Sequence, residues 1–181
     1  MSTARSPRGV RAARDWRVRA GYALRGPVRA PDQPHVTSSL RNQSVTLRAV
    51  MDSGRCELRI TRRYDATPEE VWRALTEPAS LARWLAAPVD VELARGGAFE
   101  LALPDDGRID GRVRAIVPER LLELDWQHAG EQRSVVRFEL RSEDGATVLT
   151  LDHERIEAPL GMAYISRWGR VLDRFDAEVA R

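Results

Sequence analysis

Histidine and cysteine are the residue types found most often in acid–base, metal and nucleophilic sites, and the chain has three of the first and one of the second. His35 lies in an Arg-rich N-terminal segment, whereas His128 and His153 end alternating apolar runs that predict β-strands. The predicted strand of residues 133–141 separates the last two by two strand spacings, roughly 10 Å. Their spacing in the sequence is also not that of metal ligands. We therefore expect hydrogen-bonded interior or rim histidines, with no metal site and no cofactor.

Two possible nucleophiles have no sequence context that would activate them. Ser134 shares the inward face of its strand with Val136, but no Gly-x-Ser-x-Gly turn surrounds it. Cys56 points inward at the start of the first predicted strand, where a buried thiol behaves as a small apolar side chain. The Gly96-Gly97 pair predicts a turn, since no Lys-Ser/Thr follows it as in a phosphate loop. The sequence favours a binding protein over an enzyme and indicates no catalytic residue.

A cavity is predicted instead, from large side chains on the inward faces of the predicted elements. They are, with the two inward histidines, Trp126, His128, Phe138, His153, Tyr164 and Trp168. Such a set would give an apolar pocket with a few polar groups that orient a ligand. His153 is the candidate to hydrogen-bond the ligand's polar end, because it lies near a strand end. The alternative is that the same side chains fill the core.

The periodicity predicts the elements that would position these residues. Thr67 is suited to cap a helix whose first position is Pro68, and a second short helix starts at Pro78. Seven alternating strands are predicted, around residues 56–64, 89–93, 99–103, 109–117, 122–128, 133–141 and 149–153, followed by one long helix over 159–180. The expected fold class is α+β: a seven-stranded curved antiparallel sheet, two short helices after strand 1, and a long C-terminal helix over the concave face.

The first 54 residues differ in composition from the rest. Residues 1–50 carry ten Arg against two Asp, a net charge of +8 within a total of +2, and Pro and Gly interrupt them. We expect residues 1–54 to be a disordered Arg-rich tail and residues 55–181 to be one domain. A basic arm that touches nucleic acid and an organelle transit peptide are two explanations of the tail. The favoured third is a mis-annotated start, with Met51 as the true start, so nucleic-acid binding is not expected.

Composition also excludes some classes of protein. No apolar run approaches the roughly 18 residues of a membrane-spanning helix, so no membrane partner is expected. A single cysteine excludes an internal disulfide framework. Because no apolar secretory signal opens the chain either, the expected location is the cytoplasm.

Five stretches in order carry a resemblance to a known family: ATPEEVWRALTEPASLARWLA, LARGGAFEL, GRVRAIVPERLLELDW, SVVRFELRSEDGATVLTLDHERI and YISRWGRVLDRF. From about residue 55 to 180 the chain resembles the START-like (SRPBCC, Bet v-like) superfamily, and within it the C-terminal domain of the activator of heat shock protein 90 ATPase. It differs at Arg83-Trp84-Leu85 and Trp168-Gly169, where relatives often have paired aromatics and Gly-Trp. The resemblance implies a helix-grip fold whose interior cavity commonly binds apolar molecules.

Three functions remain open on this basis. The first is a carrier or sensor of a small apolar molecule. The second is a co-chaperone-like domain that contacts a chaperone or other protein through the outer face of the sheet, where Arg137, Glu139 and Arg141 point. The third is a cyclase or hydrolase that uses His153 and a bound water.

Overall fold

The computed structural model describes residues 35–40, 43–50, 53–103 and 107–181. In order, its elements are β1 (His35–Leu40), β2 (Gln43–Val50), β3 (Arg55–Tyr64), α1 (Pro68–Thr76), α2 (Pro78–Trp84), β4 (Ala87–Val91), β5 (Ala98–Ala102), β6 (Arg108–Val117), β7 (Leu121–His128), β8 (Ser134–Glu143), β9 (Ala146–Glu157), a 3-10 turn (Ala158–Leu160) and α3 (Gly161–Val179). The predicted tail up to residue 34 lies outside the described residues.

One antiparallel sheet contains all the described strands, in the order β1-β2-β3-β9-β8-β7-β6-β5-β4. The helices α1 and α2 connect β3, inside the sheet, to β4 at its far edge. The helix α3 packs against α1, α2 and β3, and its buried stripe consists of Tyr164, Trp168, Val171, Leu172 and Phe175. The predicted α+β class, with an antiparallel sheet and a long C-terminal helix, is confirmed and fits a helix-grip fold.

The predicted strand number is wrong, because the described sheet has nine strands and not seven. The seven predicted strands correspond to β3–β9, and the additional β1 and β2 come from residues 35–50. Both strands lie within the segment that the composition predicts to be a tail, and its disorder stays a prediction. The strand β2 pairs along nearly the whole length of β3, and Val45 and Leu47 lie opposite Ile60 and Leu58 and pack against the core. Backbone pairing and apolar contacts thus connect β2 to the rest of the sheet.

Local sequence signals explain the two short helices. The Thr67 hydroxyl accepts a hydrogen bond from the Glu70 backbone N–H, and the Glu70 carboxylate accepts one from the Thr67 N–H, so the cap is reciprocal. Pro68 occupies the first helical position, as predicted. The indole N–H of Trp84 donates to the Ala74 carbonyl at 3.0 Å and fastens α2 to α1. These contacts fix the end of α2 against the core.

The long helix begins at Gly161, two residues later than predicted, because residues 158–160 form a 3-10 turn. A Cβ atom at Gly161 would lie 2.9 Å from Cys56 Sγ and 3.3 Å from a Leu47 methyl group. Glycine thus lets the start of α3 approach β2 and β3 closely. Among the described residues, no helix is long and apolar enough to cross a membrane.

Candidate functional site

An aromatic cluster lies at the middle of α3. The Trp168 ring contacts Trp126 of β7 and Phe138 of β8, with ring centroids 5.5 and 5.9 Å apart. The His153 ring of β9 packs edge-on against Tyr164 at 4.3 Å. The structure thus brings five of the six predicted site residues into one cluster. These rings contact one another directly, so the space between them is core and not cavity.

A chain of hydrogen bonds fixes His153 inside this cluster. The Trp168 indole N–H donates to His153 Nδ1 at 3.0 Å, and His153 Nε2 lies 2.8 Å from Ser134 Oγ. An indole nitrogen can only donate, so Nδ1 is unprotonated and the ring proton of the neutral imidazole is on Nε2. The Ser134 hydroxyl accepts this proton and donates its own to the Trp126 carbonyl, at 3.1 Å.

The expected role of His153 does not fit this arrangement. Both of its ring nitrogens already have protein partners, and the side chain is fully buried. Burial, with a smaller contribution from the positive charge of Arg167, lowers the His153 pKa to about 3. A neutral, fully hydrogen-bonded imidazole has no nitrogen available for a ligand or an attacking water. Alternation along β9 predicted the direction of this side chain correctly but not its depth beneath α3.

The depressed pKa of His153 predicts a specific pH dependence of stability. The unfolded chain takes up the imidazole proton below pH 6.5, whereas the folded protein does so only near pH 3. The contribution of His153 to the free energy of unfolding is therefore complete above pH 6.5. Below that pH it falls by about 1.4 kcal/mol for each pH unit. Urea unfolding of the natural protein should give a lower free energy of unfolding at pH 5 than at pH 7.5. The variant His153→Gln should lack this difference. If that variant folds poorly, 15N NMR of the natural protein should still show a neutral Nε2–H imidazole at pH 5; a protonated ring there would contradict the assignment.

A second polar group connects the loop after β7 to α3. The Tyr164 hydroxyl donates to the Glu131 carboxylate, and Arg167 Nη1 lies 3.4 Å from the same carboxylate. The Arg167 guanidinium also lies over the Tyr164 ring, 4.7 Å from its centroid. His128 Nδ1 is 3.8 Å from Glu131 Oε1. Glu131 thus links three side chains, and its place in a loop gave no sequence signal.

Burial raises the pKa of Tyr164, and its hydrogen bond to Glu131 raises it further. The charge of Arg167 and the nearby indole N–H of Trp126 act in the opposite direction. Within the described part of the chain, that indole N–H is buried and has no acceptor in hydrogen-bonding geometry. Tyr164 therefore remains a protonated donor and fixes the loop to the helix.

A cavity of about 380 Å³ lies beside the aromatic cluster, between α3, the end of α2, and strands β5 to β7. Its wall is mostly apolar, and three arginines of α3 border it. The lining residues are Leu85, Leu103, Ile109, Trp126, His128, Arg167, Trp168, Arg170, Val171 and Arg174. Three of the predicted site residues, Trp126, His128 and Trp168, are among them. The other three, Phe138, His153 and Tyr164, lie in the core behind this wall.

The remaining candidate nucleophile is inert. Cys56 is buried beneath the start of α3, and burial, reinforced by the charge of Glu57, raises its pKa. A protonated, inaccessible thiol is a poor nucleophile. The prediction of a small apolar core residue describes it correctly.

Residues 65–180 match the family described as "Activator of Hsp90 ATPase homolog 1-like protein". The chain belongs to this family. The family assignment confirms the resemblance seen in the sequence. The human activator of 90 kDa heat shock protein ATPase homolog 1 is 24% identical over 107 residues, which are 58% of this chain but only 31% of the human protein. The chain thus matches about a third of that activator's length.

Two solved structures with related folds illustrate the range of this architecture. CalU16 from Micromonospora echinospora is 26% identical, with a TM-score of 0.67 over 77% of this chain and 87% of its own. MLL2253 from Mesorhizobium loti is also 26% identical, with a TM-score of 0.63 over 69% of this chain and 97% of its own. The match covers nearly all of the MLL2253 chain, so this fold can make up almost the whole of a protein chain.

Proposed function

We propose that this chain binds a small, largely apolar molecule in the cavity between α3 and strands β5 to β7, as a carrier or sensor. The observation that carries the proposal is the cavity itself. Its volume of about 380 Å³ is within the range of small-molecule sites, and its mostly apolar wall is bordered by His128 and three arginines.

Physical chemistry favours occupation of this space. Leu103, Ile109 and Val171 face it together with the two indoles of Trp126 and Trp168. Covering apolar surface stabilises by about 25 cal/mol per Å², so a ligand that displaces water from this wall gains affinity from its apolar body. The buried cluster behind the wall holds both indoles in place before the ligand arrives, which lowers the entropic cost of binding.

Filling the cavity should abolish binding. Leu103→Trp places a large ring in the cavity and should weaken binding of an uncharged solvatochromic dye such as Nile red at least tenfold. Val117→Trp is the matched control, because Val117 is 45% exposed and does not line the cavity. Dye titration, with native mass spectrometry of the purified protein to detect a co-purifying molecule, measures both variants. Equal dye affinity in Leu103→Trp and the natural protein would contradict the location of the site.

A second candidate is contact with a partner protein such as a chaperone, which the family match and the name of the human relative support. The outer-face charges of β8 do not add to that support. Arg137 pairs with Glu139 at 3.2 Å, and Arg141 with the same carboxylate at 2.9 Å. Exposed pairs of this kind are typical of a solvated face and contribute little free energy. The third function, a cyclase or hydrolase that uses His153, lacks support because both ring nitrogens of that residue are already hydrogen-bonded.

A further inference from the structure

Three arginines of α3 border the cavity on one side of the helix. Arg167, Arg170 and Arg174 are three and four residues apart, a spacing that aligns side chains along one helical face. Trp168 and Val171, which contribute to the apolar wall, lie between them in the sequence. The charged stripe and the apolar wall are therefore adjacent along the same stretch of helix.

The three guanidinium groups differ in what they already bind. Arg167 pairs with Glu131 and lies over the Tyr164 ring. Arg174 donates through Nε to the Trp84 carbonyl at 2.9 Å. Over the described ranges of the chain, no carboxylate pairs with Arg170 or Arg174, and both are exposed. Two positive charges at the cavity thus have no counterion from the described protein residues.

We infer that the ligand of this cavity is an amphipathic organic anion, whose apolar body lies against Trp126 and Trp168 and whose carboxylate or other oxyanionic head binds Arg170 and Arg174. This inference rests on the proposed function and specifies its ligand class. Guanidinium groups donate paired hydrogen bonds that match the oxygens of carboxylates and phosphates. Positive charge beside a low-dielectric wall also attracts anions and repels cationic ligands.

Arg167, the first arginine of this stripe, also acts on the aromatic cluster behind the wall. Burial is the main cause of the low His153 pKa, but the charge of Arg167 contributes to it across the aromatic cluster. Among the described residues, Glu131 is the carboxylate that pairs with this part of the helix, and Arg167, Tyr164 and His128 surround it. It therefore balances Arg167, and the described residues provide no carboxylate that pairs with Arg170 or Arg174.

Three probes with the same ten-carbon chain test the inference on the full-length protein: decanoate, decanol and decylammonium. Tryptophan fluorescence reports binding, because Trp126 and Trp168 line the cavity. We expect decanoate to bind about tenfold more tightly than decanol, and decylammonium more weakly than decanol. Added salt should weaken decanoate binding and leave decanol binding nearly unchanged. Decyl phosphate, used in parallel, distinguishes a phosphate head from a carboxylate.

The variant Arg170→Gln/Arg174→Gln should remove the preference for decanoate while decanol still binds. The matched control is Arg141→Gln, whose side chain is 75% exposed and does not line the cavity. Arg170→Lys/Arg174→Lys should retain part of the preference, because the charge remains but the paired guanidinium donors are lost. Equal affinities for decanoate and decanol, or a preference that survives in the Gln variant, would overturn the inference and leave cavity binding intact. If neither decanol nor Nile red binds the natural protein, the proposed function itself fails.

Discussion

Replacing Trp168 with Ala is expected to lower the free energy of unfolding by about 3 to 5 kcal/mol, as for other large buried aromatic side chains. Trp168 is only 2% exposed and packs between Trp126 and Phe138. Its removal leaves a void beneath α3 and also takes the donor from His153 Nδ1. Urea unfolding followed by circular dichroism measures the loss.

Two further variants separate the packing from the hydrogen bond. Trp168→Phe keeps a ring in the core but leaves Nδ1 of His153 without its donor, and should cost about 1 to 3 kcal/mol from that atom alone. Arg170→Ala, two residues away and exposed, should change stability by less than about 0.5 kcal/mol. Equal losses at positions 168 and 170 would show that the buried face of α3 is assigned wrongly.

The seven strands and three helices were predictable because their signals are local. Strand alternation reports which side chains share a face, and the sequence Thr67-Pro68 reports where a helix begins. Of the two missed strands, β2 also had a signal. Val45 and Leu47 alternate with polar residues in β2. The Arg, Pro and Gly content of the preceding residues obscured it, and pairing with β3 is a long-range contact that composition cannot reveal.

The cavity was predictable only in part, because alternation gives direction and not depth. His153 and Trp126 both point inward, yet one is enclosed beneath α3 and the other borders the cavity. Arg170 points away from the apolar stripe of the helix, as its position indicates. Whether Arg170 borders the cavity depends on how far Leu103 and Ile109 lie from the helix in the fold. Long-range packing sets that distance, and the local sequence pattern does not show it.

A chain shortened to begin at Met51 is expected to be less stable than one that begins at Gln33, by about 2 to 4 kcal/mol. The lost terms are the burial of Val45 and Leu47, worth at most about 1.5 to 3 kcal/mol each, and the backbone pairs with β3. The ordering entropy that β1 and β2 no longer lose offsets part of this. The shortened chain also exposes the unpaired edge of β3, which favours self-association. Thermal unfolding and light scattering of both proteins measure the two effects.

Single substitutions in the complete chain test the same contact without a new sheet edge. Leu47→Ser removes an apolar side chain that packs beside Gly161 and should destabilise the protein, whereas Arg48→Ser, at the exposed next position, should not. If the Met51 chain and Leu47→Ser both match the natural protein in stability, β1 and β2 add nothing to the fold, and the prediction that residues 1–54 are a tail is supported. Peptide mapping of the native protein would then decide whether translation starts at Met51, because that prediction requires that no peptide from residues 1–50 is found. A loss of stability in both proteins would instead make β2 part of the domain, since the core beneath α3 would depend on it.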